Sequence, residues 1–184
     1  MDRTTSRRRP LIVGACLMAL IVPLAAELAA GRASIQTSRG GADAEFVKRA
    51  AERAQQEVEA GKLAVRQAAS AEVRAFADRM VKEHTTINAE LLSLADSPAE
   101  PLPPEPVVQA TRTLASQAGV AFDRAYMEQS VTNHELLVTL FEEEAGSGKD
   151  ERLRLWAGQK VTAMREHLDI ARGLRAKVAA GSAL

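Results

Sequence analysis

Three histidines carry most of the chemistry this chain can offer: His84, His134 and His167 are its only ones, and each falls in a different apolar, helix-periodic stretch. Imidazoles gathered from facing helices are the usual raw material of a metal site inside a helical bundle. A carboxylate can join them. Glu57 lies 13 residues before Ser70 and His84 lies 14 after it, so an antiparallel pair turning at Ser70 sets both at nearly one level. Glu57 borders the apolar stripe beside Val58 and Gly61, whereas Glu59 falls on the polar side. His134 precedes Gly146 by 12 residues, a similar depth, while His167 follows Asp150 by 17. At 1.5 Å per residue that sets His167 about 4–7 Å deeper and makes it the poorer fit. The expected metal ligands are therefore Glu57, His84 and His134, with His167 as a further candidate. The metals that suit them are transition ions such as Fe, Zn or Cu. The competing reading is a set of buried histidines that only hydrogen-bond their neighbours. The Glu-x-x-His pairs of di-iron bundles are absent, because Val81, Val131 and Met164 stand three before the histidines. There is no nucleophile elbow, phosphate loop or other enzymatic motif, and the chain is read as no enzyme.

The elements that must place these residues are helices. The period begins near Asp43 and recurs through Val47, Ala51, Ala54, Val58, Gly61, Val65 and Ala68. Ser70 is the expected N-cap of a second helix, with Glu72 in its first turn. That helix buries Val73, Phe76, Ala77, Met80, Val81, His84, Ile87 and Leu91 and reaches about Ala95. The segment 97–106, SPAEPLPPEP, holds five of the seven prolines and reads as a stiff crossover. A short helix is expected over 107–117, a long one over 120–145 ended by Gly146-Ser147-Gly148, and a last one over 150–179. Phe46 opens the first long helix as Phe122 opens the third, and RAFA at 74–77 matches RLWA at 154–157. Two such hairpins, 43–96 and 107–179, joined by the crossover, make an all-α four-helix bundle over 43–179, with a tail at 180–184. The acidic run Glu142-Glu143-Glu144 reads as a solvated face.

Residues 1–30 read as an address. Four arginines at 3, 7, 8 and 9 precede an uncharged stretch at 11–26, the form of a secretory signal, Sec or twin-arginine. The alternative is an uncleaved N-terminal membrane anchor, although 16 apolar residues fall short of a bilayer core. Residues 31–42 form a polar linker. The expected location is the periplasm or cell envelope. Without residues 1–30 the count is 20 basic against 22 acidic residues, a net charge of −2, and the only cysteine, Cys16, is gone. A basic excess that would draw nucleic acid is missing; the partners left open are an envelope protein or a membrane surface.

The run from Phe46 to Leu91, then FDRAYMEQSVTNHELL and MREHLDIA, resembles the bacterial domain-of-unknown-function family 4142. The elements E-x-G-K-L-A, F-A-x-x-M-V-x-x-H, F-D-R-A-Y and R-E-H-L carry the resemblance, which spans about residues 43–173. It implies a ferritin-like helical bundle exported to the envelope, with Glu57, Gly61, His84, Asp123, His134 and His167 at matching positions, and it implies no particular activity. Two functions follow as expectations: a non-catalytic structural, interaction or stress-related bundle, and alternatively a metal-binding or redox bundle with its site between the helices.

Overall fold

The computed structural model describes the backbone of residues 25–95 and 103–181, with side chains from residue 41 onward. Five helices and no strand occur among the described residues: α1 (Ala25–Gln67), α2 (Ala71–Leu94), α3 (Glu105–Ala115), α4 (Gly119–Ser147) and α5 (Glu151–Ala179). Helix α1 starts well ahead of the expected Asp43, carried back through the alanine-rich run AAELAAGRA, whose residues favour the helix. Most of the expected signal, and most of the proline-rich crossover, lie outside the described residues. Among the described residues no helix is long and apolar enough to cross a membrane.

Helix α1 packs on α2 and α4 on α5, while α1 meets α4 and α2 meets α5; α3 lies against α1 and α4. The two hairpin turns are built alike. Ser70 caps α2 by accepting the Val73 N–H at 3.2 Å, and Asp150 caps α5 by accepting those of Arg152 and Leu153. Each turn is also held from the other hairpin. Asp123 of α4 accepts the Ala69 and Ser70 N–H groups at 2.9 and 2.8 Å; Asp43 of α1 accepts those of Lys149 and Asp150 at the same two distances. Asp123 follows Asp43 by 80 positions, as Asp150 follows Ser70 and Trp156 follows Phe76. The chain is thus a structural repeat of offset 80. In that register Tyr126, rather than Phe122, is the counterpart of Phe46.

These contacts set the two turns at opposite ends: the α1–α2 turn lies beside the start of α4, and the α4–α5 turn beside residue 43 of α1. The connection between α2 and α4 must therefore run back along the molecule, and α3, packed on α1 and α4, is its described part. Lys177 of α5 pairs with Glu72 of α2 at 2.6 Å, and Trp156 donates to Glu90 at 2.8 Å, so α2 and α5 are antiparallel.

Two apolar clusters fill the interior. One gathers Phe76, Met80, Phe122, Tyr126 and Val131; the other gathers Phe46, Ile87, Leu137, Phe141, Trp156 and Met164. Gly61 brings α1 onto α2: a Cβ there would stand 2.8 Å from Val81 Cγ2 and 3.1 Å from the Ala77 carbonyl. Gly61→Ala is therefore expected to cost about 1–3 kcal/mol through overpacking, despite the better helix propensity of alanine. Urea unfolding of Gly61→Ala with and without Val81→Ala checks this. Additive effects of the two substitutions would contradict the contact. Val65, expected on the buried stripe, is 40% exposed; the stripe has drifted to Leu63 and Ala64, as 3.6-residue periodicity requires over so long a helix.

Candidate metal centre

The histidines sit where the two apolar clusters meet. On α2, His84 falls between Met80 and Ile87; on α4, His134 falls between Val131 and Leu137; on α5, His167 falls between Met164 and Leu168. On α1, Glu57 falls between Ala51 and Ala60. All four are at most 1% exposed. Together they make one polar layer between the two apolar clusters.

His84, His134 and His167 each offer a ring nitrogen, and these three atoms lie within 4.8 Å of one another. Ring centroids are 5.3–5.4 Å apart. His167, the expected poor fit, is a full member of the group. Depth counted from the two turns misplaces it against His84 because those turns are at opposite ends. Counted from the Glu72–Lys177 pair, His84 lies 12 residues along α2 and His167 lies 10 back along α5, which brings them level. Glu57 has a different place. It stands behind His134, 3.8 Å from Nδ1, on the side away from the other rings.

Hydrogen bonds fix the rings. His134 Nδ1 lies 2.9 Å from the Ser130 carbonyl, so this nitrogen donates and Nε2 carries the lone pair. That Nε2 is 3.2 Å from His84 Nε2. His167 donates from Nε2 to Glu83 at 2.5 Å, and Glu83 is gripped by Arg79 at 2.7 Å, which also holds Glu166 at 3.0 Å. Glu57 accepts from Asn133 Nδ2 at 2.8 Å and from the Ser130 hydroxyl at 3.4 Å. Asn133 in turn donates to the Arg53 carbonyl and accepts from the Arg53 guanidinium, both at 3.2 Å. Nδ1 of His84 and Nδ1 of His167 are buried with no hydrogen-bond partner in the structure.

Charge follows burial. Burial, then the neighbouring imidazoles of His134 and His167, hold the His84 pKa well below the usual histidine range. Burial and His134 lower that of His167 too, against the pull of Glu83. Burial pushes Glu57 up, opposed by His134, Asn133 and Ser130. At Glu83 burial works upward, but the hydrogen bonds from Arg79 and His167 outweigh it and its pKa is lowered. Neutral imidazoles are the form that binds a metal.

The residues the sequence left unassigned are those that hold the rings: Glu83, Ser130, Asn133, Arg53 and Arg79. Of the glutamates flanking the histidines, Glu135 and Glu166 pair with Arg172 and Arg79, and Glu59 pairs with Lys62.

A family model described as "Domain of unknown function (DUF4142)" matches residues 26–174. The chain belongs to the DUF4142 family. Comparison with curated proteins and with solved structures found no match. In this DUF4142 chain the matched segment contains all three histidines, Glu57 and Glu83.

The acidic run on α4 is not uniformly solvated. Glu142 pairs with Arg165 at 2.7 Å and Glu143 is exposed, but Glu144 is buried at 5% exposure, folded against Gly148. Burial and the nearby charges of Asp43 and Asp150 push its pKa from the ordinary 4.5 to about 7. A carboxyl whose pKa is raised by folding binds more protons in the native state between those values. Stability is then expected to fall by about 1–3 kcal/mol as pH rises from about 4.5 to 7. Glu144→Gln should flatten that part of the stability–pH curve and stabilise the chain at pH 8, read by chemical denaturation. An unchanged curve would contradict the burial of this group.

Proposed function

We propose that the protein is a ferritin-like four-helix bundle that holds one transition-metal ion on His84, His134 and His167. The observation that carries this reading is the convergence of three buried imidazoles from three helices. Hydrogen bonding alone fits the layer less well. If His84 donates to His134, the lone pairs of His84 Nδ1 and His167 Nδ1 stay buried and unmatched, at about 1–3 kcal/mol each. A metal taking His134 Nε2, His84 Nε2 and His167 Nδ1 removes that cost at His167. Nitrogens bound to tetrahedral zinc at 2.0–2.1 Å stand roughly 3.4 Å apart, close to the 3.2 Å between the His84 and His134 nitrogens. Glu83 on His167, and the Ser130 carbonyl with Glu57 on His134, are the outer partners that metal-bound histidines require. The all-nitrogen donor set favours Zn, Cu or Fe over Mg or Ca.

The long return connection between α2 and α4, with antiparallel α1–α2 and α4–α5 hairpins, supports the ferritin-like arrangement. The four candidate residues do not repeat at offset 80. Their counterparts Ala54, Ile87, Leu137 and Met164 are all buried and apolar, so the bundle carries one centre in one layer. Burial of that layer favours retention of the ion over turnover of a substrate. The basic and apolar residues 1–30 support export of the chain to the cell envelope.

Elemental analysis of the purified chain after loading with Zn²⁺, Cu²⁺ or Fe²⁺ and gel filtration tests the reading. One equivalent of metal is expected, lost in His134→Ala. No retained metal from any of the three would sink it.

A further inference from the structure

We infer that a groove between α1 and the start of α3 binds a small organic oxyanion, a carboxylate or phosphate group on a compact apolar body, with Arg49 and Arg53 as its anchors. The groove has a volume of about 370 Å³ and is lined by Arg49, Glu52, Arg53, Gln56, Pro104, Pro106 and Val107, within the size range of small-molecule sites. Arg49 and Arg53 are one helical turn apart, so both present to one face. Neither is ion-paired among the described residues, whereas Arg79, Arg112, Arg152, Arg165, Arg172 and Arg175 each meet a carboxylate. Arg49 also borders the acidic cavity beside Glu144, and no ion pair forms there either.

Arg53 is half-buried, and its guanidinium is already oriented by Asn133 Oδ1 at 3.2 Å and Gln56 Oε1 at 3.4 Å. A fixed, unpaired fork of this kind meets a planar or tetrahedral oxyanion with little ordering cost. Pro104, Pro106 and Val107 form the apolar wall for the rest of the ligand. Glu52 is the one carboxylate in the lining, and it opposes the anion. The groove shares Arg53 with the network behind His134 but contains none of the histidines and does not depend on a metal.

The test is calorimetric titration of the full chain with phenyl phosphate and with benzoate at low ionic strength. Saturable binding of either is expected, the tighter probe naming the oxyanion. Arg49→Gln, at an exposed position, should weaken it at least tenfold; Glu52→Gln should tighten it several-fold; and Arg66→Gln, outside the groove, should leave it unchanged. Lack of saturable binding to both probes, or equal affinity in wild type and Arg49→Gln, would overturn the assignment.

Discussion

Zinc added at about a thousand times its dissociation constant is expected to stabilise the native chain by about 4 kcal/mol, because the unfolded chain lacks the assembled site. For a domain of this size that is a rise in Tm of roughly 10 °C. The response should vanish in the double variant His84→Met, His167→Ile. Those replacements are the residues found 80 positions away in the repeat, where Met164 and Ile87 are 0% and 7% exposed in the same interior. The metal-free variant should be at least as stable as the metal-free wild type. Exchanging partly satisfied buried polar groups for apolar ones of similar size is near neutral or favourable, and Glu83 keeps Arg79 when His167 is gone. Differential scanning calorimetry with and without zinc reads both halves. A variant that still gains the full shift would place the ion elsewhere.

The second large effect concerns the turns. Asp123→Ala should destabilise the chain by about 2–5 kcal/mol, since it strips two charge-assisted bonds and leaves the Ala69 and Ser70 N–H groups unmatched at a packed turn. Asp43→Ala should do the same at the α4–α5 turn, with a smaller loss because Lys149 and Asp150 lie nearer to solvent. Asp123→Asn, which keeps one acceptor, should recover about half. Urea denaturation measures all three. A loss under about 0.5 kcal/mol for Asp123→Ala would remove these aspartates from the account of how the hairpins dock.

Much of the helical framework was legible in the sequence. The period gave the helices and Ser70 announced its cap. Both signals are local, acting within one or two turns of chain. The site was legible only in its parts. Glu57 and His84 could be brought to one level by counting from the Ser70 turn, but setting His134 and His167 against them required knowing that the two turns lie at opposite ends. That follows from Asp43 and Asp123, whose contacts span more than 100 and more than 50 positions. The same distance hid Glu83, which sits next to His84 in sequence yet holds His167, 84 positions on. Glu144 was misjudged for a related reason: helix periodicity places a residue on a face but cannot show that Asp43 closes over the α4–α5 turn there.

Whether three imidazoles share one ion is read by X-ray absorption of the zinc-loaded chain. The expected first coordination sphere has three histidine nitrogens at about 2.0–2.1 Å, a signature lost in His84→Met, His167→Ile. A sphere made of oxygens with one or no imidazole, or the same spectrum in the variant, would contradict the three-histidine site.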